Sequence, residues 1–129
     1  MNLTQAVQTH LASLDAGHCD FEATLELIDR YFHVTPVAFS NGPLHNAPNQ
    51  NHGACRVFAL GQFCNLTESQ TLLCFGRHYQ QVLDEPASDS HANIRQFMTT
   101  GWSGITFSEA PLRPRPSDEI ADQQENSES

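Results

Sequence analysis

The chain has 129 residues and a formal net charge of −9 at pH 7, and its six positive side chains are all arginines. Tight binding to nucleic acids or to anionic membrane surfaces depends largely on clustered Lys and Arg, so this composition argues against both partners. No apolar run approaches the roughly 20 residues needed to span a bilayer, and the start of the chain lacks the pattern of a secretory signal. We therefore expect a single cytoplasmic domain with no membrane or nucleic-acid partner.

Two amphipathic helices are predicted at the beginning of the chain. Helix 1 covers about residues 3–16, because Asn2 suits an N-cap position and Gly17 suits a helix end. Helix 2 starts after Asp20, another favourable N-cap residue, and ends before Pro36, which pushes the preceding residue out of the helical region.

The segment of residues 40–53, SNGPLHNAPNQNHG, is polar and has no regular period. It contains four Asn, two Gly, two Pro and two His, and unstructured connections of this length in compact domains are often functional. Two interpretations stay open at this point: a hydrogen-bonded connection without a binding role, or a binding loop.

The stretch Ala54–Cys64, ACRVFALGQFC, follows that segment and is predicted to be the central helix. Its apolar residues surround the helix axis instead of forming one stripe, and a helix of that kind belongs in the interior of a protein. The neighbouring amphipathic helices are expected to cover it on several sides.

Two further helices are predicted after the central helix. Helix 4 extends from about Glu68 to Asp84, with a capping box at its start and Gly76 in its interior, where another helix is expected to pass close by. Helix 5 covers HANIRQFMTTGW, and Ser90 is its predicted N-cap. After it, the segment SGITF is predicted to be extended and to pack back on the domain.

The fold class predicted from these elements is all-α: a compact bundle of about five helices around the buried central helix, in one domain over residues 1–111. Residues 112–129 are rich in Pro and acidic side chains, with Ile120 as a single large apolar residue in the C-terminal part. Such a segment cannot bury enough apolar surface to offset the entropy lost on ordering, so we predict a disordered acidic tail.

The cysteines and histidines do not select a metal site by their spacing. None of the four cysteines forms a CxxC pair, so buried reduced thiols are the expected state. A site made of His45, His52 and either His33 or His91 is a less favoured alternative, since imidazole suits several transition metals. We predict no metal and no cofactor.

The candidate ligand site combines polar residues of the 41–53 loop with the start and end of helix 5. If the loop folds over helix 5, these side chains form a polar pocket above an apolar floor, suited to a small anion or metabolite. The candidate ligand-binding residues are Asn41, His45, Asn51, His52, Cys55, His91, Asn93, Arg95 and Trp102. No catalytic residue is assigned; a Cys–His nucleophile would require an exposed Cys55 paired with a base.

Three blocks of the sequence together resemble the HopJ type III effector protein family: EATLELIDRYFHVTPVAFSNG, NQNHGACRVFALGQFCNLTESQTLLCFGRHYQQVL and HANIRQFMTTGWSGITF. The resemblance covers about Phe21 to Phe107, and the HANIR and GW elements of the last block are its most specific part. It implies a small bacterial family named after a candidate effector delivered by type III secretion, and it supplies no catalytic residues.

The leading functional hypothesis is therefore a HopJ-like protein without an assigned activity. It would bind a protein partner or a small ligand through the 41–53 loop and helix 5, either as a cytoplasmic protein or as one secreted by a type III system. The alternatives are a small enzyme that uses the His/Asn/Cys/Arg pocket, and a metal-binding protein.

Overall fold

The computed structural model describes residues 2–116 and residue 120. The helices in that part of the chain are α1 (Leu3–Asp15), α2 (Phe21–Tyr31), α3 (His52–Phe63), α4 (Glu68–Leu73), α5 (Arg77–Asp84) and α6 (Ala92–Thr100), followed by a 3-10 turn over Gly101–Gly104. The strands are β1 (Phe32–Val34), β2 (Phe39–Asn41), β3 (Leu44–Asn46), β4 (Ile105–Phe107) and β5 (Leu112–Pro114).

Helix α3 forms the centre of the molecule, which confirms the prediction of a buried central helix. Phe58 and Leu60 are completely buried, and the ring of Phe58 contacts the rings of Phe39, Phe75 and Phe97. These aromatic residues come from β2, from the segment before α5 and from α6, so the core joins helices and strands around α3.

Two small antiparallel sheets make the protein a mixed α/β fold, and the predicted all-α bundle is wrong. One sheet has the order β3-β2-β4, with Asn41 opposite Ile105, and the other pairs β1 with β5. Each strand has three residues, which is too short to show the alternating pattern of a strand in the sequence. Their partners also lie far away along the chain, beyond the reach of local signals.

The predicted loop at residues 40–53 contains most of a β-hairpin. Strands β2 and β3 pair directly, and Gly42 adopts a φ of 56° in the turn between them, a conformation that favours glycine. The backbone N–H of Gly42 also donates to the carbonyl of Gly104 at 2.9 Å. The hairpin is thereby fixed against the segment that follows α6.

The predicted helix 4 is interrupted at Gly76, which separates α4 from α5. Gly76 has a φ of 57°, and a Cβ at this position would contact the Asp20 side chain and lie 2.7 Å from the Phe21 nitrogen. Asp20 Oδ1 accepts hydrogen bonds from the backbone N–H groups of Phe21 and Arg77, at 2.7 and 2.8 Å. One carboxylate therefore caps two helices, and the bend at Gly76 brings their starts together.

The C-terminal region continues in ordered structure past the predicted boundary at residue 112. Leu112 is buried, and β5 pairs with β1, so the first residues of the predicted tail form a strand. Residues 117–119 and 121–129 lie outside the described part of the chain, and their disorder stays a prediction. No helix in the described part is long and apolar enough to cross a membrane.

Candidate functional site

A cavity of about 370 Å³ opens between the first turns of α3 and α6, with α5 along one side. We call it the α3–α6 cavity. Its floor is apolar and its rim carries amide and imidazole side chains, and it lies where the hairpin meets α6. The lining residues are Phe21, Asn51, Gly53, Ala54, Phe75, His78, His91, Ala92, Asn93 and Ile94.

Both helices that start at the cavity lack a side-chain cap. Their N-cap residues, Asn51 and His91, adopt left-handed conformations with φ values of 54° and 53°. The predicted Ser90 cap is therefore wrong; the Ser90 hydroxyl is instead a partner of Ser88. The backbone N–H groups of these first turns have no capping side chain, and they carry the partial positive charge of the helix dipole.

A network of asparagine side chains, buried except for Asn51, joins the hairpin to both helix starts. Asn46 Oδ1 accepts from Asn51 Nδ2 at 2.7 Å and from Asn93 Nδ2 at 3.1 Å. Asn41 Nδ2 donates to the Asn93 carbonyl at 2.8 Å, and Asn41 is completely buried. Because Asn46 bonds to residues at the start of α3 and of α6, this network fixes the distance between the two helix ends at the cavity.

Two histidines face each other at the rim of the cavity. The ring centroids of His78 and His91 lie 5.1 Å apart, and Phe21 meets the His78 ring edge to face at 4.9 Å. His91 Nε2 lies 2.7 Å from Gln81 Oε1. Burial, followed by the charges of His78 and Arg95, lowers the pKa of His91, so its ring is neutral at pH 7.

The structure brings together four of the nine candidate residues. Asn51, His91 and Asn93 line the cavity, and Asn41 lies behind Asn93 in the amide network. These residues come from the 41–53 segment and from the start of α6, which are the two elements that the sequence indicated.

Three polar candidates do not line the cavity. His45 is exposed and its Nδ1 is paired with the Ser40 hydroxyl at 2.9 Å. His52 lies outside the lining, and its pKa is lowered, mainly by burial and then by the charge of Arg56. Arg95 donates to the backbone carbonyls of Ser90 and Pro86, so its guanidinium anchors the segment before α6.

Of the remaining two candidates, Cys55 lies in the core and the half-buried Trp102 packs against it. Cys55 is 1% exposed, and burial raises the pKa of its thiol to about 11, which disfavours the thiolate that a nucleophile requires. Trp102 packs edge to face against Phe97 and its Nε1 donates to the Leu66 carbonyl at 3.1 Å. Neither side chain lines the cavity.

Sequence reasoning missed Asn46, His78, Gln81 and Phe21. The abundance of Asn in residues 40–53 was a signal for Asn46, whereas nothing in the sequence marked His78 as a neighbour of His91. The less favoured alternative of a metal site made of three histidines finds no support in the structure, because the described residues contain no group of three or more His, Cys, Asp or Glu able to hold an ion.

Comparisons with known proteins agree with the sequence resemblance. The family model described as HopJ type III effector protein matches residues 5–112. The crystal structure of VPA0580, a protein of unknown function, has a TM-score of 0.77 and 40% sequence identity, over 84% of this chain and 92% of the other. No curated protein gives a significant match.

Proposed function

We propose a small-ligand binding function for this chain, which belongs to the HopJ type III effector protein family. The ligand would occupy the α3–α6 cavity and place an anionic group, such as a carboxylate or a phosphate, against the first turns of α3 and α6. The observation that carries the proposal is the meeting of two uncapped helix starts at one cavity.

The electrostatics of the lining support an anionic group. Free N–H groups and the positive ends of two helix dipoles attract negative charge, and His78 and His91 add imidazole donors. No carboxylate is found among the described residues that line the cavity, so nothing in the lining repels an anion at close range.

The size and shape of the cavity support a small molecule as the ligand in preference to a protein partner. Its volume of about 370 Å³ lies within the usual range for small-ligand pockets. The floor combines the rings of Phe21 and Phe75 with Ile94, which suits an apolar portion of the ligand. We therefore expect a compact metabolite with one anionic end and one apolar end.

An enzymatic role has less support from the lining. Among the described residues that line the cavity, none carries a thiol, hydroxyl or carboxylate, and Cys55 is buried elsewhere. His78 and His91 remain as possible proton-transfer groups, but the side chains around them offer no nucleophile.

The test is a titration of isotopically labelled protein with inorganic phosphate and a panel of small carboxylates, followed by NMR. Saturable shifts should be confined to the amides of Gly53, Ala92 and their neighbours, and to the two cavity histidines. His91→Asn, which keeps a side chain tolerant of the left-handed conformation, should weaken the binding at least tenfold. His45→Ala removes an exposed histidine outside the cavity and should leave it unchanged.

Two results would contradict this proposal. One is the absence of saturable shifts at the cavity with every compound of the panel. The other is an equal loss of affinity in His91→Asn and His45→Ala, which would place the binding elsewhere.

Delivery by a type III system is a second, separate part of the proposal, and it is supported by the family to which the chain belongs. A reporter fused to residues 1–50 should then be exported by a bacterium with a type III apparatus. Equal export from a strain that lacks the apparatus, or no export at all, would favour a cytoplasmic protein.

A further inference from the structure

We propose that His78 and His91 together bind a divalent transition-metal ion at the rim of the α3–α6 cavity. The inference goes beyond small-ligand binding, because it concerns two protein nitrogens and can be tested with metal alone. Zinc, copper and nickel are the ions that imidazole pairs favour.

The spacing of the two rings fits a shared ion. Imidazole nitrogens bind zinc at about 2.0–2.1 Å, which places each ring centroid about 3 Å from the metal, so two rings on one tetrahedral ion have centroids roughly 5 Å apart. The centroids of His78 and His91 are 5.1 Å apart, with 47° between the ring planes. The spacing and tilt of the two rings are therefore compatible with one shared ion.

The hydrogen bond to Gln81 prepares His91 for this role. Gln81 Oε1 can only accept, so His91 Nε2, at 2.7 Å from it, donates the hydrogen. In the neutral ring the lone pair is then on Nδ1, which is available to a metal. Metal-bound histidines characteristically donate their second ring N–H to an oxygen in this way.

His78 has a nitrogen that lacks a partner. Its Nδ1 is buried and no hydrogen bond reaches it from the described residues. Buried polar atoms in folded proteins nearly always have partners, and an exception requires a reason, such as an ion or a water molecule. An ion shared with His91 would satisfy this nitrogen.

The backbone of His91 adopts the left-handed conformation at the start of α6. His91 has a φ of 53°, and the other residues with positive φ in the described part are glycines or the asparagines Asn49, Asn51 and Asn65. Asn, Asp and His adopt the left-handed conformation more often than other residues that carry a side chain, and a residue held there is a reason to look for a function. In this conformation the His91 ring lies against His78.

The charges around His78 and His91 determine which further ligands the metal ion would take. Arg95 and the starts of α3 and α6 disfavour a bare cation, and Glu85 is the acidic group that acts on His91. The described residues provide no third His, Cys, Asp or Glu ligand. The open positions of the ion would therefore be taken by water, hydroxide or an anion, whose negative charge the two helix starts stabilise.

The experiment is calorimetric titration of the whole, metal-free protein with Zn²⁺ and with Ni²⁺. One equivalent should bind, and His78→Gln and His91→Asn should each weaken binding at least tenfold. Gln81→Ala should weaken it about tenfold, because it removes only the partner that orients His91. His18→Ala, which removes an exposed histidine far along the sequence, is the matched control and should bind as the unmodified protein does.

A Co²⁺ titration followed by absorption separates imidazole from thiol ligands, since thiolates give an intense near-ultraviolet charge-transfer band. The expected complex lacks that band. A thiolate band, the absence of saturable binding, or unchanged affinity in the His78→Gln/His91→Asn double variant would each overturn the proposal. Circular dichroism of every variant verifies that the fold is retained.

Discussion

The side chains of Asn46 and Asn93 hydrogen-bond to each other in both directions, although 47 positions separate them in the sequence. Asn93 Nδ2 donates to Asn46 Oδ1 at 3.1 Å, and Asn46 Nδ2 lies 3.4 Å from Asn93 Oδ1. Both residues are buried. This amide pair links the hairpin to the start of α6, and Asn51 extends the link to α3.

The first prediction concerns this pair. Asn46→Leu keeps a side chain of similar size but leaves the amide donors of Asn51 and Asn93 without their common acceptor. An unsatisfied buried donor costs about 1–3 kcal/mol, so the free energy of unfolding should fall by about that amount in urea denaturation. Gln8→Ala, on the exposed face of α1, is the control and should change stability by less than about 0.5 kcal/mol. If the free energy of unfolding of Asn46→Leu also fell by less than about 0.5 kcal/mol, the asparagine network would contribute little to stability.

The second prediction concerns Gly76, between α4 and α5. Gly76 has a φ of 57° and a ψ of −129°, a backbone conformation that a residue with a Cβ rarely adopts, and Gly76→Ala also forces that Cβ against Asp20 and the Phe21 nitrogen. Gly17→Ala is the matched control, because Gly17 also has a positive φ, 77°, but open space around the added atom. Thermal denaturation should show a larger loss for Gly76→Ala than for Gly17→Ala; equal losses would refute the close packing at Gly76.

The third prediction concerns the pH dependence of stability at the Arg77 ion pair. Hydrogen bonds from Arg77 lower the pKa of the exposed Glu22 carboxyl from 4.5 to about 2, with nitrogen–oxygen distances of 2.8 and 2.7 Å. Since the pKa is lower in the folded state, the carboxylate stabilises the fold above pH 4.5, and this contribution is lost as the pH falls toward 2.

Glu22→Gln should therefore lower the melting temperature slightly at pH 6 and leave it unchanged near pH 2. The effect should shrink in high salt, because the pair is exposed to solvent. Glu26→Gln on the same helix serves as the control for removing a negative charge. An identical pH profile in the two variants would show that the Arg77 pair makes no specific contribution.

The sequence was sufficient to predict most of the helices and the burial of α3, because those features depend on local periodicity, although it joined α4 and α5 into one helix. The apolar residues around Phe58 identify an interior helix without any knowledge of its neighbours. The capping boxes at Asn2 and Thr67 likewise identify helix starts from residues within one turn, and both are present in the structure.

The sheets and half of the candidate site could not be predicted in this way. The pairing of Asn41 with Ile105 depends on the whole chain between them, and a three-residue strand carries no period of its own. His78 faces His91 because the chain bends at Gly76, and the sequence alone shows a glycine there without showing its φ. Asn41, Asn51, His91 and Asn93 were found because they lie on the two elements whose polar composition was unusual.

The order of strand pairing also has a consequence for the assembly of the fold. The β2–β4 pair is nested inside the β1–β5 pair along the sequence, so β5, which completes the β1–β5 sheet, is synthesised after the other described strands. During translation the helices can form before β5 is synthesised, but β1 cannot pair with β5 until Pro114 has left the ribosome.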